Sequence, residues 1–184
     1  DVILDISDFR QIEIEPRKAL QAPWLKSESI GMGYGWRGAG KTFLAMGLLD
    51  AITNQIGFGP WKCQDSGPCL FLDGEMPPQD IQERARYLGL GSNSIHPLYA
   101  YSDALASQQG LARANLASVT WRDQMRRILI TKGVKLWVID NLASLSSGID
   151  ENVKQDWDPI NAWLLGLRFA GVSTIMLHHV NKDG

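Results

Sequence analysis

Gly35-Trp36-Arg37-Gly38-Ala39-Gly40-Lys41-Thr42 is the stretch on which the reading of this chain turns. It matches the phosphate-loop pattern G-x-x-x-x-G-K-[ST] at every fixed position. The glycines let the backbone fold tightly, so that successive N–H groups converge on a polyphosphate with no Cβ atoms in the way. Lys41 is expected to reach the β- and γ-phosphates, and the Thr42 hydroxyl to ligate Mg²⁺. Residues 42–52 read as a helix with Leu44, Leu48 and Ile52 on one stripe, whose N-terminus adds partial positive charge under the phosphates. The loop together with Phe43 is the candidate nucleotide-binding segment. A Gly-rich turn before an ordinary helix would spell the same letters, so the flanks matter. Residues 29–34, Ser-Ile-Gly-Met-Gly-Tyr, should form a buried parallel strand. Glycines weaken a strand, but they also occur where another backbone or a ligand comes close.

Downstream, apolar runs alternate with amphipathic ones. Residues 68–73 form a short apolar strand ending in Asp73 and followed by Gly74-Glu75-Met76. Pro77-Pro78 stops it, and residues 79–88 read as a helix closed by Gly89, with Leu90 making the capping contact. Residues 97–101 are the next strand. Residues 102–118, rich in Ala, Ser and Gln, have no sharp period and leave helix and loop both open. Thr120-Trp121-Arg122-Asp123 resembles a capping box. The helix it opens should bury Trp121, Met125, Ile128 and Leu129 and turn Arg122, Arg126 and Arg127 outward. Residues 135–140 are an apolar strand ending in Asp140. A polar loop then leads to Asp158-Pro159, read as N-cap and first helical position. Ile160, Trp163, Leu164 and Leu167 stripe that helix, Gly171 ends it, and residues 172–179 form the last strand, ending in His178-His179. Strands alternating with helices predict an α/β fold with a mainly parallel sheet.

Upstream, the alternating run Gln11-Ile12-Glu13-Ile14-Glu15 suggests that residues 1–29 are an N-terminal arm or edge strand. Trp24 would either pack beside a nucleotide base or cover the core edge. The 184 residues suffice for a single domain, and 45% hydrophobic with 21% charged residues is ordinary for a globular protein. No apolar run is long enough to cross a bilayer, and the acidic N-terminus does not resemble a signal peptide, so the cytoplasm and no membrane partner are expected. With 18 basic against 20 acidic residues, a formal charge of −2 argues against a nucleic-acid binder acting over its whole surface. A local basic loop or ring pore stays open. Residues 146–158 hold four acids against Lys154, which disfavours phosphate contact there. Cys63 and Cys69 lack the companions of a zinc site and read as free thiols.

In a parallel α/β sheet, ligands bind at the carboxyl ends of the strands. The phosphate loop, Glu75, Asp140 with Asn141, and His178-His179 all fall there. Asp140 would hold Mg²⁺ as the second acidic motif, although an Asp after an apolar strand also starts turns. Many AAA+ ATPases place a Glu directly after that Asp. This chain has Asn141, so Glu75 is the available carboxylate to orient and deprotonate the attacking water. A surface Glu capping the next helix is the alternative.

The chain resembles RecA-fold ATPases, especially the RepA-like replicative helicases of plasmids and their relatives. The resemblance is carried by residues 35–42, by Leu70-Phe71-Leu72-Asp73-Gly74-Glu75-Met76-Pro77, by Leu136-Trp137-Val138-Ile139-Asp140-Asn141, and by Leu177-His178-His179-Val180-Asn181-Lys182. It spans roughly residues 20–184. It implies a RecA-like P-loop NTPase fold, with ATP and Mg²⁺ as cofactors and Glu75 as catalytic glutamate. It also implies that His178 or His179 senses the γ-phosphate and reports to DNA-facing loops. Adjacent strand residues point to opposite faces, and His179, nearer the loop, is the favoured sensor. Such proteins are typically hexameric rings with a neighbour's arginine finger at each ATP. Family members continue past the His motif, so the expectation is a chain truncated at Gly184 or lacking a mobile tail. Three function classes compete: an ATPase that moves along or remodels single-stranded or duplex DNA, a nucleotide-switched regulator or loader, and a small-molecule kinase.

Overall fold

The structure, a computed structural model, describes residues 3–149 and 153–180. Asp150 and Glu151 of the acidic loop, and residues 181–184 after the His motif, lie outside the described residues. A small antiparallel ribbon, β1 (Ala19–Gln21) with β2 (Leu25–Lys26), precedes a five-stranded sheet. The sheet holds β3 (Ile30–Gly35), β4 (Cys69–Asp73), β5 (Leu98–Ser102), β6 (Leu136–Asp140) and β7 (Ser173–His179). Their spatial order is β3-β7-β6-β4-β5, and every neighbouring pair is parallel. Parallel neighbours need long crossovers. Helices supply them, including α2 (Lys41–Thr53), α3 (Pro78–Tyr87), α5 (Val119–Thr131) and α7 (Lys154–Phe169), after a short α1 (Ile6–Phe9); α4 (Asp103–Gln108) and α6 (Leu142–Leu145) are single-turn pieces. The expected α/β architecture with a parallel sheet flanked by helices is thus what the chain adopts.

Side chains alternate across a strand, and both faces of this sheet are covered. Leu70, Leu72, Trp137 and Ile139 point to the layer of α5 and α7, where they meet Met125, Leu129, Leu164 and Leu167. Phe71, Leu136, Val138 and Leu177 point to α2, meeting Ala45, Leu49 and Ile52. Trp137 is fully buried and its indole N–H donates to Thr174 Oγ1 at 2.7 Å, so its polar edge carries no desolvation penalty. The central strands β4 and β6 are buried throughout, whereas β3 at the sheet edge alternates between exposed and half-buried residues. That edge position is why a glycine-rich strand suffices. At Gly33 a Cβ would stand 2.9 Å from Leu177 Cδ2, so the absent side chain lets β7 close against β3.

Several sequence expectations are corrected. Leu44 faces solvent at 56% exposure, because α2 presents Ala45, Leu48, Leu49 and Ile52 to the sheet instead. Residues 11–15 form no strand; the strand pairing of the N-terminal region comes later, in the β1–β2 ribbon, whose Leu20 and Leu25 join the core. Gln21, buried between them, donates to Ile56 O at 3.0 Å and accepts from Phe58 N at 3.1 Å. The cap of α5 is Ser118, not Thr120, since its extended backbone aims Oγ at Trp121 N. The helix turns Trp121, Met125 and Leu129 to the core, which leaves Ile128 exposed and Arg122 inward, where Nη1 donates to Leu116 O at 2.5 Å. Helix α7 begins at Lys154 with Val153 as N-cap, so Pro159 sits inside it rather than at its first position. At the sixth position of the helix, Pro159 lacks the N–H that would pair with Gln155 O, so α7 forfeits one backbone hydrogen bond there. Residues 102–118 resolve into α4 and an irregular stretch tied by Asp103, which accepts from Ala114 N at 2.6 Å and pairs with Arg113 at 2.8 Å. Cys63 and Cys69 are free thiols, and burial pushes Cys69 up to about 12. Trp24 meets Trp61 edge-on at 5.1 Å in the ribbon region, away from the phosphate loop.

Candidate functional site

Gly38 and Gly40 adopt left-handed backbone at φ of 79° and 82°, which is the reason these two positions are glycine. Gly40 is the N-cap of α2 and provides no side-chain cap, leaving the first N–H groups of the helix to face the cleft. Lys41 Nζ donates to Gly35 O at 2.5 Å, to Trp36 O at 3.0 Å and to His179 Nδ1 at 3.0 Å. An ammonium has three donors and no acceptor, so all three are used and His179 Nδ1 must be the accepting nitrogen. Gly35 and Trp36 therefore serve as the lysine's anchor; the cleft wall runs from Arg37 through Phe43. Phe43 stands at its outer edge, with the Arg84 guanidinium 5.0 Å over its ring.

Thr42 Oγ1 donates to Asp140 Oδ2 at 2.6 Å, joining the start of α2 to the end of β6. Burial is the main influence on Asp140 and raises its pKa, opposed by the Thr42 hydrogen bond. Asp73 is the registered neighbour of Asp140 on β4 and is also buried, which pushes it up to about 6. Its only signal in the sequence is its place at the end of an apolar run; that β4 lies beside β6 comes from the sheet order. Asp73 Oδ2 accepts from Glu75 N at 3.1 Å and Met76 N at 2.7 Å, and so shapes the turn that carries Glu75. A hydroxyl and a carboxylate oxygen are hard donors suited to Mg²⁺. Among the described residues no cluster of three His, Cys, Asp or Glu could hold a metal alone.

Gly74 lets the Glu75 turn lie against α6. A Cβ there would meet Ser144 Oγ at 2.5 Å and Leu145 Cδ2 at 2.8 Å. Gly74→Ala should therefore shift the turn, lowering stability by about 1–3 kcal/mol and reducing turnover more than nucleotide affinity. Urea unfolding and steady-state kinetics check this; an alanine variant as stable as its parent would contradict the close packing.

Glu75 Oε1 accepts from Arg37 Nη2 at 2.9 Å, Glu75 Oε2 accepts from Asn141 Nδ2, and His179 Nε2 lies 3.7 Å from Oε2. Burial first, and then the Lys41 charge, lower the pKa of His179, so its imidazole is neutral at neutral pH. His178 points to the opposite face, edge-on to Tyr34 at 6.1 Å. The sheet thus brings Lys41, Thr42, Glu75, Asp140 and His179 to one cleft of about 250 Å³, together with Asp73 and Arg84, while His178 stands apart. Such a cleft, with helix N–H groups, a lysine, two hard oxygen donors and a carboxylate, can bind a polyphosphate and orient water toward it.

A family model described as an AAA domain matches residues 3–184. Among solved structures, the chain is similar to the crystal structure of a KaiC-like protein from the hyperthermophilic archaeon Pyrococcus horikoshii OT3. The TM-score is 0.62 at 18% identity, covering 90% of this chain and 72% of that one. At that identity the likeness speaks for the fold. No curated protein matches the chain. Among the described residues no helix is long and apolar enough to cross a membrane.

Proposed function

The chain belongs to the AAA domain family and has the fold of a RecA-type P-loop ATPase, and from that premise we propose that it hydrolyses ATP with Mg²⁺ to move along or remodel DNA, in the manner of RepA-like helicases. The observation that carries the reading is the meeting of Lys41, Thr42, Asp140, Glu75 and His179 around one cleft at the carboxyl ends of the parallel strands. In this reading the phosphate loop and Lys41 bind the polyphosphate, Thr42 and Asp140 hold the metal, and Glu75 takes the proton of the attacking water. The metal would supply charge neutralisation on the phosphates. His179, hydrogen-bonded to Lys41, is well situated to sense the γ-phosphate. A homo-oligomeric ring with a finger from the neighbour completes the proposal.

DNA-stimulated ATPase activity of the protein, with sedimentation to score assembly, is the deciding experiment. Stimulation by single-stranded or duplex DNA supports a motor; ATP binding with no response to DNA favours the nucleotide-switched regulator. The acidic balance of 18 basic against 20 acidic residues is the observation that favours this second reading. The two histidines should separate in the same assay. His179→Ala should leave ATP affinity largely intact and lower the DNA-stimulated rate, relative to the basal rate, by roughly 5–150-fold, the range of ordinary coupling energies. His178→Ala should instead lower stability by about 0.5–1.5 kcal/mol through loss of its contact with Tyr34. Equal melting losses with an unchanged stimulated-to-basal ratio would make both histidines structural.

A further inference from the structure

Three groups reach the Glu75 carboxylate, and they differ in their ability to fix it. Arg37 forms an ion pair at 2.9 Å, but its side chain is 77% exposed and that of Glu75 is 41% exposed. Exposed pairs of this kind hold geometry weakly. Arg37 also sits on the phosphate loop, where an arriving polyphosphate competes for the guanidinium. His179 Nε2 is 3.7 Å away, beyond hydrogen-bond reach, and its imidazole is neutral. Asn141 is different. It is 3% exposed, and its own backbone anchors it at the end of β6 as the N-cap of α6.

The orientation of the Asn141 amide follows from that cap. Oδ1 accepts from Ser144 N at 3.1 Å, and the Asn141 carbonyl accepts from Ser144 Oγ at 2.9 Å. With Oδ1 committed, the amide NH₂ faces the other way, and Glu75 Oε2 is its acceptor. The flipped amide would set NH₂ against an N–H and oxygen against a carboxylate, so only one orientation satisfies both partners. We propose that Asn141 is the positioning residue of Glu75, using the rigid cap of α6 to hold one carboxylate oxygen and leave the other directed at the attacking water. The proposal rests on the reading of Glu75 as the base. An amide suits the task because it orients a carboxylate without bringing a full positive charge, which would depress the basicity needed for proton abstraction. It also accounts for an Asn directly after Asp140: the base arrives from β4, and the residue next to Asp140 holds it.

The test is single-turnover and steady-state ATP hydrolysis with Mg²⁺ by the full chain, alongside nucleotide affinity and melting. Asn141→Asp keeps an equally good cap for Ser144 N but replaces the donor by a carboxylate facing Glu75. Asn141→Ser also keeps a cap, without the repulsion, and is too short to reach Glu75. Both should hold nucleotide affinity within about twofold and lower kcat at least ~10-fold, a part of the 10²–10⁴ that a positioned base supplies. In the Glu75→Gln background neither change should lower the rate further, because Asn141 acts only through that carboxylate. A folded Asn141→Ser protein with parental kcat, while Glu75→Gln is inactive, overturns the proposal. So does an equal fractional loss in both backgrounds. Full activity of Glu75→Gln itself overturns the reading of Glu75 as base, a distinct outcome.

Discussion

Replacing Lys41 with alanine should abolish turnover and weaken ATP binding by on the order of 10²-fold, since hydrogen bonds to charged groups contribute about 1.5–3 kcal/mol and this ammonium would make more than one to the phosphates. In the structure the same three donors hold Gly35 O, Trp36 O and His179 Nδ1. Binding must exchange some of these neutral acceptors for charged phosphate oxygens, and the charge-assisted bonds are the stronger. The variant loses both sets, so the loop also loosens. Isothermal calorimetry with ATP, at a temperature where the melting curve shows the variant folded, measures the effect. Unchanged affinity would remove the phosphate-loop assignment, and with it the reading of the whole cleft.

Glu75→Gln should separate binding from chemistry. Glutamine keeps the size of the side chain and an oxygen able to accept from Asn141, but it is no base, so hydrolysis should fall by roughly 10²–10⁴-fold. Nucleotide affinity should stay near the parental value, because Glu75 meets the loop only through an exposed pair with Arg37 and has no part in the Thr42–Asp140 pair. Stability should also change by no more than about 1 kcal/mol, as the lost ion pair with Arg37 is exposed. Rapid-quench measurement of one turnover, with fluorescence titration of a bound nucleotide, distinguishes the two quantities. Near-parental turnover would move the base elsewhere in the cleft, with Asp73 the next carboxylate along the same turn.

Much of the candidate site is legible in the sequence because its parts are local. The loop pattern needs only eight consecutive residues; Asp140 and the histidines close apolar runs short enough to be one strand, and Glu75 stands two residues past another. The turn residues Gly89 and Gly171 likewise mark the end of α3 and the start of β7 to within a residue or so, whereas the one alternating run, residues 11–15, forms no strand. The structure departs from the sequence reading where the course of a loop or the seating of a helix decides. Arg122 reads as solvated in a helical projection, yet the path of the loop before α5 puts Leu116 O within its reach. Leu44 fits the apolar stripe of α2, but the angle at which that helix crosses the sheet leaves it outside. The capping signals at Thr120 and Asp158 fall inside helices that begin earlier, at Val119 and Lys154.

The amino-acid sequence alone determined that this protein has an α/β fold with a phosphate loop, since glycine geometry, short apolar runs and helix periodicity act over a few residues and need no distant partner. Only the tertiary structure decided how the strand ends converge. The order β3-β7-β6-β4-β5 sets Asp73 beside Asp140, puts His179 rather than His178 against Lys41, and brings Asn141 to Glu75 across 66 positions of chain. Such contacts depend on which strands are neighbours and on which face each residue takes. A register change of one residue would reverse every face, and no local pattern records the choice.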